Sequence, residues 1–230
     1  MTSPPRGAAR YPRTRDCEPT LLVNETFLSI QGEGPEQGYP TFFIRLTGCN
    51  LRCTYCDSAY AFYHGTRRGL GDVVEEARRS GAVRVLVTGG EPLAQASAPR
   101  LCRDLIRAGL KVSVETNGSY GLAALPAAAR RVVDVKTPGS GEGGSFLPSI
   151  LGALHRGDAL KFVLVDREDY LWTRDFLRAY TVPAGVETLL SPAWGKLDPG
   201  TLAGWLLEDR LSVRLQLQLH KMLWGYRRGV

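Results

Sequence analysis

The chain has 230 residues, 43% of them hydrophobic, and a formal net charge of +6. That is enough for one well-filled core or two small ones, and no run of roughly 18 apolar residues offers a membrane span. The charge comes from arginines scattered along the chain, without a helix-turn-helix or RNA-binding signature, so neither nucleic acid nor membrane is an expected partner.

Residues 1–20 hold four Pro, four Arg and almost no aliphatic side chains. They cannot bury enough surface to offset the entropy of ordering, which predicts a disordered tail. The same stretch lacks the apolar centre of a secretory signal, and this points to the cytoplasm. Residues 21–230 are expected to form a single domain.

Leu21–Ile30 predicts a first strand. β-Branched and aromatic runs then recur at Thr41–Leu46, Val83–Val87, Lys111–Glu115, Arg131–Val135, Leu160–Val165, Glu187–Leu190 and Val213–Leu217. Between them Asp72–Ser80, Pro99–Ala108 and Arg167–Tyr180 carry helical periodicity. Alternation of this kind predicts an α/β fold with a parallel sheet and right-handed crossovers. The number of units suits a partial, open TIM-like barrel of about six parallel strands. Such folds place their chemistry at the carboxyl ends of the strands. The unusual residues of this chain gather there: Gly48-Cys49, Thr88-Gly89-Gly90-Glu91-Pro92, Glu115-Thr116-Asn117-Gly118, Lys136-Thr137-Pro138 and Ser191-Pro192.

Three of the five cysteines, Cys49, Cys53 and Cys56, fall within eight residues in a C-x3-C-x2-C spacing. An odd count with such crowding favours metal or redox chemistry in a reducing compartment over a disulfide scaffold. Thiolates are the usual ligands of iron–sulfur clusters, and three of them leave one iron of a four-iron cluster open for substrate chemistry. Zinc is the competing reading. It wants four ligands, and no fourth Cys or His lies at knuckle spacing, although His64 is not excluded geometrically. Cys102, on the apolar side of a predicted helix, reads as a core residue, and Cys17 as incidental.

Gly89 and Gly90 allow close approach of a ligand to the backbone, and Glu91 is suited to hold an ammonium group. In Thr41–Leu46, strand alternation puts Phe42, Ile44 and Leu46 on one face and Phe43 and Arg45 on the other. A guanidinium on a covered face needs an anion. That anion is either a protein carboxylate or, as the planar donor favours, an anionic substrate.

The cysteine loop followed by a strand-end Gly-Gly-Glu-Pro resembles the radical S-adenosylmethionine (SAM) superfamily. The resemblance implies a 4Fe-4S cluster whose open iron is chelated by SAM. The stretch E-x-F-x-S-I-Q-G-E-G from Glu25 to Gly34, the run into C-x-Y-C-D-S, and the closing Leu215–Lys221 more narrowly resemble the 7-carboxy-7-deazaguanine synthase family. Carried over by position, that resemblance implies that Ile30, Gln31, Gly32, Glu33, Thr88 and His220 meet the substrate, 6-carboxy-5,6,7,8-tetrahydropterin, with His220 on the last strand. Arg45 would bind its carboxylate. Tyr55, Cys56, Asp57, Gly89, Gly90, Glu91, Lys136, Thr137, Pro138, Ser191, Pro192, Ala193 and Trp194 would surround SAM. Ser58, where the family usually has Thr, would ligate Mg2+. The implied reaction is a radical ring contraction with loss of ammonia. A flavodoxin or ferredoxin donor and a homodimer are also implied. A glycyl-radical-enzyme activase shares the cysteine loop and the Gly-Gly-Glu-Pro turn. A non-enzymatic zinc or iron–sulfur module leaves the strand-end turns unexplained. The Gly139–Gly144 stretch reads as a lid or a slack loop.

Overall fold

The structure, a computed structural model, describes residues 19–230. Most of the expected tail, with Cys17, lies outside the described residues. Its last residue, Thr20, already belongs to a strand.

The chain builds β1 (Thr20–Ile30), β2 (Pro40–Leu46), β3 (Thr66–Gly69), α1 (Leu70–Arg79), β4 (Arg84–Gly89), α2 (Ala98–Arg107), β5 (Lys111–Thr116), β6 (Arg130–Val135), β7 (Ala159–Leu164), α3 (Arg167–Ala179), β8 (Glu187–Pro192), α4 (Pro199–Asp209), β9 (Arg214–Leu215) and α5 (Leu219–Trp224). All nine strands join one sheet in the order β3-β1-β2-β4-β5-β6-β7-β8-β9. The β3-β1-β2 edge is antiparallel, and every pairing from β2 to β9 is parallel. Six full strands and the two-residue β9 form the parallel part, an open barrel as the alternation predicts.

Strand alternation divides this sheet chemically. One face carries Phe42, Ile44, Leu46, Val85, Val87, Val112, Val114, Val133, Val135, Leu160, Phe162 and Leu164, all buried. They pack against Val73 and Ala77 of α1, Leu101, Cys102 and Leu105 of α2, Tyr170 and Phe176 of α3, and Leu202 of α4. Cys102 is therefore a core residue, as expected. The other face bears Arg45, Thr88, Glu115, Asp134 and Lys161 on successive strands, and it becomes the cavity wall.

Helix ends follow local chemistry. Asp166 accepts the Asp169 N–H at 3.0 Å to start α3, and Asp198 accepts the Thr201 N–H at 2.8 Å to start α4. Each such cap contributes about 1 kcal/mol. The β5–β6 and β6–β7 crossovers contain no α-helix, only loops and short 3-10 turns.

The predicted strand Val213–Leu217 is cut to two residues. Gln216 turns its side chain to Gly34, accepting its N–H at 3.0 Å and donating to its carbonyl at 3.1 Å, and the Leu217 carbonyl accepts from Gln37 at 2.6 Å. These bonds draw the chain off the sheet edge toward the β1–β2 loop. His220 consequently sits on α5 and not on a last strand.

That loop, residues 31–39, runs beneath the barrel at the amino-terminal ends of the parallel strands. Glu36 meets Arg84 at the start of β4 (3.1 Å), Arg130 at the start of β6 (3.3 Å) and Ser113 of β5 (2.6 Å). The loop is a floor, bonded to central strands on one side and to the β9 region on the other.

Candidate active site

Above the floor opens a cavity of about 670 Å3, lined from β1, β2, β4, β5, β6, β7, the cysteine loop and the C-terminal segment. Cys49, Cys53 and Cys56 all reach it, half-buried and unpaired. Burial raises the Cys49 thiol and pushes Cys53 up to about 11. Thiols so placed become thiolates only against a strong cationic partner, which the irons of a cluster supply. Among the described residues no three His, Cys, Asp or Glu groups converge on a single metal ion. Three thiols on one loop, with one iron left open, suit a four-iron cluster better than zinc, which wants four ligands.

The Gly139–Gly144 stretch is neither lid nor slack loop but a buttress for the cysteine loop. The Ser140 carbonyl accepts from Thr54 N (2.9 Å), the Gly139 carbonyl from Thr54 Oγ1 (2.9 Å), and Glu142 from Arg52 N (2.6 Å). The buttress is anchored in turn, because Gly139 N donates to Asp169 of α3 at 2.7 Å. A Cβ on Gly139 would meet Val165 and Asp169.

At the end of β4, Gly89 has φ +150°, and a Cβ there would collide with the backbone of Leu46. A Cβ on Gly90 would strike the Gly48 carbonyl and come within 2.8 Å of Cys49 Cβ, so both glycines let the turn press against the cysteine loop. Glu91 is fully buried behind the cavity wall, accepting from Leu93 N (2.9 Å), Thr116 Oγ1 (2.8 Å) and Asn117 N (2.7 Å). Burial raises its pKa against those bonds. With Oε1 accepting two of these bonds and Oε2 the third, Glu91 clamps the β4 turn to β5.

Lys136 reaches the cavity, paired with Asp134 at 2.9 Å. Thr137 is buried and donates to the Val163 carbonyl at 3.0 Å, so it holds the turn from within. Pro138 opens the buttress. Ser191 is buried and its hydroxyl has no partner among the described residues, Pro192 ends β8, and Ala193 and Trp194 continue the wall. Tyr55 lines the cavity and donates to the Val163 carbonyl at 3.4 Å. Asp57 pairs with Lys221 of α5 at 2.6 Å, and the Ser58 hydroxyl lies 3.8 Å from Cys56 Sγ.

From the floor, Ile30, Gln31, Gly32 and Glu33 face the same cavity, with Thr88 and His220. A Cβ on Gly32 would overlap the His220 ring, so the missing side chain is what lets α5 close on the floor. Glu33 accepts from Lys161 at 2.6 Å and from Gln218 at 2.9 Å. Lys161, 5% exposed, also meets Glu115 at 2.6 Å and Asp134 at 3.3 Å. Burial alone would raise the Glu33 carboxyl, but Lys161, His220 and the Gln218 bond outweigh it and hold the pKa at about 2.

Arg45 has the protein-carboxylate partner that was one of its two readings: its Nε donates to Glu25 at 2.8 Å. Only one edge of the guanidinium is used. Among the described residues its two Nη groups make no hydrogen bond to protein, and the side chain lines the cavity.

Sequence reasoning missed Asp134, Lys161, Gln218, Lys221 and Tyr60, and it placed Glu115 on the rim without giving it a role. A signal existed for the first two. Asp134 in Arg-Arg-Val-Val-Asp-Val and Lys161 in Ala-Leu-Lys-Phe-Val-Leu are lone charges in apolar strands, the pattern that singles out Arg45.

An open parallel barrel with a three-thiol loop at its carboxyl rim defines a radical SAM enzyme, and the Radical SAM superfamily profile matches residues 43–136. Its cofactors are a 4Fe-4S cluster and SAM. The chain is 42% identical over 220 residues to the 7-carboxy-7-deazaguanine synthase of Koribacter versatilis, covering 89% of this chain and 97% of that one. It is 39% identical over 204 residues to the 7-carboxy-7-deazaguanine synthase of Methanospirillum hungatei, covering 88% of this chain and 85% of the relative. The crystal structure of QueE from Escherichia coli shares the fold with a TM-score of 0.72 at 24% identity, covering 87% of this chain and 95% of that one. The chain belongs to the 7-carboxy-7-deazaguanine synthase family.

Proposed function

We propose that this chain converts 6-carboxy-5,6,7,8-tetrahydropterin to 7-carboxy-7-deazaguanine and ammonia, with Arg45 gripping the substrate carboxylate. The observation that carries the assignment to Arg45 is its free Nη edge, turned into the cavity that also holds the three cysteines. A planar two-pronged donor matches the geometry of a carboxylate.

Cys49, Cys53 and Cys56 would hold the cluster, with the fourth iron left to SAM. When bound, cluster and SAM supply the 5′-deoxyadenosyl radical that opens the reaction. The residues of this chain bind, orient and exclude water. Gly89 and Gly90 admit SAM against the backbone, while Tyr55, Lys136 and Ala193–Trp194 flank it. Gln31, Glu33 and His220 present donors and acceptors to the pterin edge, and Thr88 stands beside them. Ser58 offers one hydroxyl to Mg2+, whose remaining ligands would be water and substrate oxygens, a set that suits this ion. Asp57 is engaged by Lys221 and is the weaker ligand candidate. Among the described residues no helix is long and apolar enough to cross a membrane, and unpaired thiols fit a cytoplasmic setting. The single continuous sheet supports one working domain. Family membership supports a homodimer and a flavodoxin or ferredoxin as electron donor.

The test is anaerobic reconstitution with iron and sulfide, followed by reductant, SAM, Mg2+ and the carboxy-tetrahydropterin. Mass spectrometry should find 7-carboxy-7-deazaguanine. Arg45→Ala should weaken pterin binding by about tenfold or more while four-iron absorbance persists. SAM cleavage with the pterin left intact would point to the activase reading instead.

A further inference from the structure

Glu25 is the first residue of the motif that runs to Gly34, and it partners Arg45 across the β1–β2 pair. Two observations single it out. The first is the strand itself. Val23 and Glu25 are two apart on β1 and would face the same side of a regular strand. They do not: Val23 is buried in the core while Glu25 meets Arg45 on the cavity side. The pairing shifts between them, with Val23 opposite Leu46 and Glu25 opposite Arg45, so Asn24 is the extra residue of a β-bulge. Asn24 is held in place by its side chain, which donates to the His64 carbonyl at 2.5 Å. A bulge of this kind re-aims the residue that follows it.

The second observation is what the re-aimed carboxylate does. Glu25 Oε1 accepts from Arg45 Nε at 2.8 Å and from Tyr60 Oη at 2.7 Å. The Arg45 guanidinium lies 5.9 Å from the Phe27 ring centroid and 5.8 Å from that of Tyr60. Arg228, on the C-terminal segment, covers the Tyr60 ring at 3.8 Å. The grip is made through Nε alone, and it leaves the paired Nη edge free for a second carboxylate.

We infer that Glu25, swung into the cavity by the bulge at Asn24, is a positioning residue that fixes the Arg45 guanidinium with its two-pronged edge toward the substrate carboxylate. The inference rests on the proposed role of Arg45. Without Glu25 the arginine keeps its charge but samples several rotamers, and binding loses the benefit of preorganisation.

The test measures dissociation constants for the fluorescent analogue 6-carboxypterin with anaerobically reconstituted, SAM-loaded enzyme and no reductant. Glu25→Ala should raise the constant about tenfold, the loss expected for an ionic hydrogen bond. Glu25→Gln, which keeps an oxygen acceptor for Arg45 Nε and Tyr60, should recover most of the affinity. In an Arg45→Ala background, Glu25→Ala should add almost nothing, because the residue it positions is gone. Four-iron absorbance and melting temperature serve as controls that a general structural role would move. Wild-type affinity in Glu25→Ala, or an equal further loss in the Arg45→Ala background, would overturn the inference and leave the role of Arg45 standing. Unchanged affinity in Arg45→Ala would bring down the substrate reading itself, and this inference with it.

Discussion

Lys161 shows how much one side chain can hold together. It faces three carboxylates, Glu33, Glu115 and Asp134, at the bottom of the cavity. Lys161→Met should cost about 3–5 kcal/mol, because it strands buried charges rather than merely deleting a pair. Urea unfolding at neutral pH reads this loss. The sign of the pH dependence follows from Glu33, whose pKa falls from 4.5 to about 2 on folding. A depressed carboxylate contributes stability that is fully present above its unfolded value and lost as pH drops through its folded value. The gap between wild type and Lys161→Met should therefore narrow between about pH 4.5 and 2, and a gap independent of pH would contradict this account. A second residue-scale expectation concerns Gly90. Alanine there forces the β4 turn away from Gly48 and Cys49. Iron bound per chain after reconstitution should fall in Gly90→Ala, with far-UV circular dichroism unchanged.

Elements divide into those legible in the sequence and those that only tertiary contacts explain. The central strands and α1, α2 and α3 lie within a few residues of their predicted bounds, since each alternates or repeats its apolar side chains over at least one full period. β9 and α5 were misread for an identifiable reason. Leu215-Gln216-Leu217-Gln218-Leu219 alternates as a strand does, but Gln216 and Gln218 bond to Gly34 and Glu33, not to solvent. Local pattern cannot register partners some 180 residues away. The Gly139–Gly144 buttress was illegible likewise, for glycine composition suggests slackness and only the bonds to Arg52, Thr54 and Asp169 make it firm. Glu142→Ala, which frees Arg52 N, should speed removal of cluster iron by a chelator several-fold while moving the melting temperature little. Equal rates would show that the cysteine loop stands without that support.

At the scale of the molecule, the cavity is closed by segments far apart in sequence. Residues 225–230 line it, with Tyr226 and Arg228 reaching Lys221 and Tyr60. A chain ending at Gly225 should assemble its cluster normally yet bind 6-carboxypterin more weakly, as fluorescence titration would reveal; undiminished affinity would make the tail a bystander. The cysteine loop and Arg45 were readable because each concentrates its chemistry in a few adjacent residues. The ionic cradle of Glu33, Glu115, Asp134 and Lys161 was not, because it draws one residue from each of four separate places.

The floor loop carries a consequence for the order in which the site forms. Gly32 accepts from Leu219 N at 3.0 Å, and Gly34 and Glu33 are bonded to Gln216 and Gln218. The floor motif therefore finds its partners some 180 residues further along the chain. A chain that has formed its cysteine loop but has not yet closed this long-range contact has no finished pocket. Closure across that separation must come before the site can shelter an oxygen-labile cluster, so a folding intermediate that lacks it holds the ligands without the shelter.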